Sequence, residues 1–478
     1  MSNSDIDPPS LYAAREPIFP RRVHGWYRNL KWIIMAVTLA IYYITPWIRW
    51  DRGPNLPDQA VLVDLAGRRF FFFWIEIWPH EFYFVAGLLV MAGLGLFLFT
   101  SALGRVWCGY ACPQTVWTDL FILTERWIEG DRNARVRLWN APWDFRKLRL
   151  RLAKWSVWLV IAVMTGGAWV FYFTDAPTLM RDLLQGHAPF IAYSTILILT
   201  ATTFIFGGFA REQICIYACP WPRIQAAMMD EDTLTVAYRD WRGEPRGKAQ
   251  KDQSHGDCID CMACVNVCPM GIDIRDGQQL ACITCALCID ACDDVMDKIG
   301  KPRGLIDYVA LSDEQAERAG AAPKPAYRHI LRPRTLLYFV LWAGIGVALG
   351  VALFLRSPFD LNITPVRNPL YVTMSDGAIR NTYELRLRNK QGAAQQFAVS
   401  VEGADGQPLP DAQLVLEGVE GDLMPVPADT THTQRFYLTA APGSALAKGV
   451  RSDIRVLIRD TDAGVESTVS TVFNGKSN

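Results

Sequence analysis

Apolar side chains along this chain collect into five runs, at approximately 32–48, 82–103, 155–174, 190–210 and 336–355. A helix that crosses a bilayer needs about 20 mostly apolar residues, so each run reads as a candidate span. The last, LLYFVLWAGIGVALGVALFL, carries no charge, which argues against a buried soluble helix. The first, WIIMAVTLAIYYITPWI, is shorter and is interrupted by Pro46. It lies too far from the N-terminus, and lacks the small-residue exit, to read as a cleaved signal peptide. From about 359 the period changes. NTYELRLRN (381–389) alternates Tyr383, Leu385 and Leu387 with polar neighbours, the rhythm of a half-buried strand. QQFAVSVEG, AQLVLEG, TQRFYLTA, SDIRVLIRD and ESTVSTVF continue it between Gly, Pro, Asn and Asp. Short strands at this spacing predict an immunoglobulin-like β-sandwich over 359–478. It lacks an inter-sheet cysteine pair, and fold alone assigns it no function.

Charge places these elements relative to a membrane. The formal net charge is zero, with 48 basic and 48 acidic residues among 478, yet the basic residues are segregated. Arg21, Arg22, Arg28 and Lys31 precede the first span. Arg132, Arg135, Arg137, Arg146, Lys147, Arg149, Arg151 and Lys154 lie between the second and third. Lys324, Arg328, Arg332 and Arg334 precede the fifth, whereas the connection 175–189 has Arg181 alone. The positive-inside rule then makes the N-terminus, the 104–154 stretch and the region before span five cytoplasmic, and the C-terminus external. A nucleic-acid role would be the rival account of the basic stretches, but their juxtamembrane position explains them without it. All twelve cysteines fall on the inner side of this topology or at its membrane edge, where thiols stay reduced.

Eight of those cysteines fall into two copies of one spacing. The first is C-x2-C-x2-C-x3-C-P, at Cys258, Cys261, Cys264, Cys268 and Pro269. The second repeats the spacing at Cys282, Cys285, Cys288 and Cys292, but is followed by Asp293. In the bacterial ferredoxin run, three thiolates hold one cubane and the fourth crosses to the other. The pattern therefore predicts one [4Fe–4S] cluster on Cys258, Cys261, Cys264 and Cys292, and a second on Cys282, Cys285, Cys288 and Cys268. Zinc knuckles usually pair two short C-x2-C arms across a longer loop, and a disulfide framework suits an oxidising compartment. Neither matches this duplication. The polar stretch 237–257 reads as a linker or surface loop ahead of the clusters.

The other four cysteines form two C-x3-C-P motifs, Cys108–Cys112–Pro113 and Cys215–Cys219–Pro220, which lie 107 residues apart. His80 and His187 keep the same offset, so spans one–two and three–four read as an internal repeat in one orientation. On a continuing helix residues i and i+4 share a face, and the proline favours a helix end or kink. A repeat interface would gather four thiols at the cytoplasmic edge, a soft donor set suited to Cu(I). The competing account is that these cysteines pack as small hydrophobes. A transmembrane bis-histidine haem is disfavoured, because none of His24, His80, His187, His255, His329 and His432 lies mid-span. His80 and His187 each precede their motif by 28 residues, about 42 Å of helix, which puts them on the outer face. There they fit either an external metal-entry site or a structural role.

Taken in order, the segment LYAAREPIFPRRVHGWYRNLKW, the two C-x3-C-P motifs and CIDCMACVNVCPMGIDIRDGQQLACITCALCIDACDDVMDKIGKPRGLIDY resemble the CcoG/FixG/RdxA family across nearly the whole chain. That resemblance implies an accessory protein for assembly of cbb3-type cytochrome c oxidase. Such a protein reduces Cu(II) to Cu(I) in the inner membrane, with copper chaperones or oxidase assembly factors as partners. The organisation expected is a multidomain membrane protein: a cytoplasmic arm (1–31), a four-helix transmembrane domain (32–210), a ferredoxin-like 2[4Fe–4S] domain (211–330), a fifth span (336–355) and an external immunoglobulin-like domain. No dinucleotide fingerprint occurs, so electrons are expected from another cytoplasmic carrier or a small reductant. Two alternatives remain open: a quinol-oxidising ferredoxin-type subunit, and an assembly scaffold whose clusters are structural. The fifth span and external domain discriminate against the quinol-oxidising subunit, and reversible cluster reduction would discriminate against the scaffold.

Overall fold

A computed structural model describes residues 17–53, 56–247, 255–419 and 421–476. Most of the expected N-terminal arm and residues 248–254 of the expected linker lie outside this set. The chain divides into two compact units, one of residues 1–49 and 59–349 and one of 50–58 and 350–478.

In the first unit, helices at Trp26–Trp47, Tyr83–Leu103, Phe145–Val170 and Phe190–Ala218 are long and apolar enough to cross a membrane, and Pro333–Phe354 is a fifth. Leu197, Val340 and Val347 on these helices stand largely exposed, as lipid-facing side chains would. Three boundaries differ from the hydropathy reading. The first helix begins at Trp26 rather than 32, so the expected arm ends sooner. Asp290 supplies the reason: its carboxylate accepts from the backbone N–H of Tyr27 (3.2 Å) and of Arg28 (2.7 Å), capping donors that a helix start leaves unpaired. Gly25 permits the approach, since a Cβ there would lie 2.2 Å from Asp290 Cγ. The third helix starts at Phe145, well inside the expected cytoplasmic stretch, because Asp144 caps it through Lys147 N–H. The fourth continues beyond 210 through two π-helical stretches, Phe204–Ala210 and Ile214–Ala218, on either side of Arg211 at φ 29°.

The basic stretch between spans two and three is helical, at Pro113–Glu129, Arg132–Asn140 and the start of Phe145–Val170. Several of its charges are buried rather than presented to a membrane surface. Glu125 pairs with Arg135, with Arg211 at 2.5 Å and with Lys154 at 3.6 Å. Glu129 pairs with Arg151 at 3.0 Å and Lys154 at 2.9 Å. Arg28 and Lys31 likewise pair with buried Asp119, at 3.0 and 3.8 Å. Arg137, Arg146 and Arg149 remain exposed. Part of the expected linker is also ordered: strand Thr235–Tyr238 pairs antiparallel with Ile306–Val309, and Arg242 binds Asp257 at 2.5 Å. A three-stranded antiparallel sheet of Val61–Asp64, Arg69–Phe72 and Ile75–Ile77 completes this unit. The alternation of residues 61–77 is too short to have predicted it.

The second unit is the immunoglobulin-like sandwich. One sheet orders its strands Ala412–Leu416, Thr431–Ala440, Ile379–Asn389 and Phe359–Pro365, with Val372–Thr373 beside the third. The other orders Leu423–Val426, Gln395–Gly403, Arg451–Asp460 and Glu466–Asn474. Tyr383, Leu385, Leu387, Phe397, Phe436, Val456, Ile458 and Phe473 are fully buried between them. Tyr383 Oη donates to the Val472 carbonyl at 2.9 Å, tying the sheets where a disulfide is absent.

Replacing Glu125 with alanine would leave Arg135 and Arg211 buried without their shared carboxylate. Removing one partner of a buried pair typically costs about 3–5 kcal/mol, so E125A should lower the thermal unfolding temperature of the detergent-solubilised protein. A substitution at exposed Arg149 should leave that temperature unchanged.

Candidate electron-transfer site

The two cysteine motifs fold alike. In each, the residues flanking the second cysteine adopt left-handed backbone: Asp260 and Met262 (both φ 56°), and Thr284 and Ala286 (φ 54° and 60°). Non-glycine residues rarely take this conformation, and here four do so at matching positions. Alternation of right- and left-handed residues turns successive N–H groups inward, which favours anionic guests. Thr284 N–H already points at Cys282 Sγ, 3.5 Å away. Short helices Ala263–Val267 and Leu287–Ile299 follow the turns.

The thiols line two small apolar cavities. Cys258, Cys261, Cys264 and Cys292 face the first, with Tyr238, Arg275 and Met296. Cys268, Cys282, Cys285 and Cys288 face the second, with Met270, Ile283 and Leu287, and Cys264 borders both. Burial pushes the Cys264 thiol up to about 11, and the Cys268 and Cys292 thiols up to about 12. These three thiols are therefore neutral without metal, and cluster insertion would release their protons. The donor set, the inward N–H groups and the apolar enclosure fit a [4Fe–4S] cluster in each cavity. In the first cavity Arg275 binds Asp260 and Asp273, both at 2.6 Å, and so fixes the loop carrying Cys261.

The C-x3-C-P cysteines do not ride on continuous helices. Val106–Tyr110 is a short helix carrying Cys108; Cys112 is extended, and Pro113 opens Pro113–Glu129. Cys215 lies in the π-helical Ile214–Ala218, Cys219 is extended, and helix Trp221–Met228 follows Pro220. The two copies diverge after the proline, a 17-residue helix against one of 8. All four thiols lie within electrostatic range of one another, and burial raises the Cys108 thiol to about 11. Among the described residues no three His, Cys, Asp or Glu side chains converge tightly enough to hold one metal ion. His187 is exposed between helix Ala176–Gln185 and the fourth span, and His80 lies in the turn Pro79–Glu81.

The first thiol-bearing turn is docked directly onto the second ferredoxin motif. Cys108 belongs to one apolar cluster with Met270, Ile283, Cys285 and Leu287, and Cys215, Cys268 and Cys288 pack against it. A Cβ on Gly109 would meet the Ile283 carbonyl at 2.7 Å and the Cys285 backbone at 3.0 Å, so glycine is what allows the two segments to touch. Tyr110 Oη donates to the Cys285 carbonyl at 3.2 Å. Cys108 Sγ donates to fully buried Gln225, 3.0 Å away. Gly109, Tyr110, Gln225, Met270 and Arg105 were not picked out by the motif reading. The identical Tyr-Ala-Cys-Pro in both copies is the signal that marks Tyr110.

Fold and site together define a membrane-associated iron–sulfur electron-transfer protein. Residues 210–311 match the 4Fe-4S dicluster domain family, 84–133 a 4Fe-4S binding domain, and 349–476 the IG-like fold at the C-terminus of FixG. Protein RdxB of Cereibacter sphaeroides is 68% identical over the full length of both chains. Protein RdxA of the same organism is 64% identical over 97% of this chain and 98% of its own. The nitrogen fixation protein FixG of Rhizobium meliloti is 54% identical over 91% and 90%. The chain belongs to the RdxA/RdxB/FixG family.

A side chain at position 109 should separate the docked surfaces. G109V is expected to lose iron from the second cavity, leaving about half the complement of a two-cluster protein, while membrane insertion continues. Iron analysis and cluster EPR of the purified variant provide the check.

Proposed function

We propose that the chain is a cupric reductase. It would reduce Cu(II) to Cu(I) for copper delivery during assembly of a cbb3-type cytochrome c oxidase. The observation that carries this reading is the packing of Cys108 and Cys215 against Cys268, Cys285 and Cys288 in one apolar cluster. A soft thiol pair beside an electron carrier suits an ion whose reduced form prefers sulfur.

In this reading Cys258, Cys261, Cys264 and Cys292 hold one cluster, and Cys268, Cys282, Cys285 and Cys288 hold the other. When bound, each cluster supplies reversible one-electron transfer. Cys108, Cys112, Cys215 and Cys219 receive copper as substrate, and one electron converts each Cu(II) to Cu(I). Thiolate ligation favours the reduced ion, which adds driving force. Gln225 holds the Cys108 thiol through the 3.0 Å hydrogen bond, fixing its direction. The electron donor is a cytoplasmic carrier, and copper chaperones or oxidase assembly factors take the product.

The exposed basic residues Arg137, Arg146 and Arg149 support a cytoplasmic cluster domain in the inner membrane, with the immunoglobulin-like domain in the periplasm. A cysteine placed at Gly421 should react with an impermeant thiol reagent when only the outer membrane is opened, and one at Lys298 should not. Equal labelling would remove this topology.

The crossover makes an unusual demand on single variants. Cys268→Ser should damage the cluster of the second motif, and Cys292→Ser that of the first. Spectra in which each variant lost the cluster of its own motif would reverse the assignment. The double variant Cys108→Ala, Cys215→Ala should keep both clusters yet lose Cu(I) binding and cupric reduction. Anaerobic copper titration and stopped-flow reduction separate that result from a packing role, which would lower stability and leave the copper chemistry intact.

A further inference from the structure

The two cluster cavities differ in their charge. Beside the first, Arg275 acts on Cys264 but is paired with Asp260 and Asp273, and the carboxylates of Asp273 and Asp293 oppose it at Cys264 and Cys292. Beside the second stands Arg105, only 3% exposed. One of its Nη groups donates to the Leu280 carbonyl, while its Nε has no hydrogen-bond partner. Among the described residues no carboxylate forms an ion pair with it. Its electrostatic neighbours are thiols: Cys108 and Cys215 on one side and Cys282 on the other. On Cys268 and Cys288 the leading charged neighbours are other thiols rather than carboxylates.

A guanidinium cannot shed its proton, so a buried one without a counter-ion is costly to keep. The cost is offset when the neighbouring group is itself an anion. A cluster ligated by four thiolates carries net negative charge, and each reduction adds one more. A fixed cation therefore favours the reduced state, and does so strongly where water is excluded. Rigid anchoring to Leu280 keeps the charge in place during the redox change.

We propose that Arg105 is a redox-tuning residue that raises the reduction potential of the cluster held by Cys268, Cys282, Cys285 and Cys288 above that of its neighbour. Electrons entering at the first cluster then pass downhill to the second, which is the one packed against Cys108 and Cys215. Each transfer oxidises the first cluster by one electron and reduces the second by one, with no proton or further reagent required. Arg105 also occupies the position whose counterpart, 107 residues on, is Glu212. The repeat thus carries a positive charge at the second cluster's edge and a negative one in the other copy. The inference rests on the cluster assignment above but not on copper being the final acceptor.

The test is an EPR-monitored redox titration of both clusters in the purified full-length protein. In R105Q the potential of the second cluster should fall while that of the first stays put, and R105K should restore most of the difference. Equal shifts of both clusters, or none with both clusters present, would overturn the proposal. If R105Q does not retain the second cluster, R105K decides. Retention of that cluster near its original potential supports a charge effect, and loss of the cluster assigns Arg105 to holding the Leu280 loop instead. A wrong cluster assignment would show separately, in the spectra of Cys268→Ser and Cys292→Ser.

Discussion

Backbone meets backbone where Gly109 lies on Ile283 and Cys285, and much of the site's layout follows from that contact. It sets the end of the Tyr83–Leu103 span against the second ferredoxin motif with no side chain between them. Tyr110 then reaches the Cys285 carbonyl, and Cys108 enters the apolar cluster formed by that motif. A water-filled gap at this junction would lengthen the electron path and solvate the thiols. Dry contact instead keeps the Cys108 thiol neutral.

Charge is buried around this junction to an unusual degree, and each buried charge has a defined place. Glu125 and Glu129 gather Arg135, Arg151, Lys154 and Arg211 from three separate helical segments. Such networks contribute little net stability over an apolar core, yet breaking one is expensive. They therefore act as registration devices: helices that could slide along one another in lipid are held where the carboxylates meet their cations. The π-helical stretches on either side of Arg211 are the local accommodation that lets its guanidinium reach Glu125.

The family and the fold class were legible in the sequence because their signals are periodic and local. Cysteine spacing, apolar runs and the alternation of residues 381–389 each span one element. Strand Leu423–Val426 was missed because Pro425 and its four-residue length erase the alternation, whereas Phe359–Pro365 alternates visibly but follows directly on the fifth apolar run. The charge reading was incomplete for a different reason. Arg135, Arg151 and Lys154 look like membrane-surface residues until Glu125 and Glu129 are seen to lie opposite them, and such pairing is invisible to a one-dimensional charge count. The cap on the first helix was missed likewise, since Asp290 is 262 residues from Arg28. Arg105 and Gln225 carry no motif at all, and only the packing reveals what they touch.

That distant cap has a consequence in time. Ribosomes add about 5–20 residues each second, so roughly 13–50 s separate the synthesis of Arg28 from that of its acceptor, Asp290. Asp119, the partner of Arg28 and Lys31, also arrives later. Until Asp119 is made, 91 residues and about 5–18 s after Arg28, the start of the first helix has neither its cap nor its counter-ion, and both cations remain hydrated. They are then free to bias how the nascent hairpin enters the bilayer, and are neutralised once the later segments fold over them. The same two side chains thus serve first as an address for the growing chain and afterwards as part of its mortar.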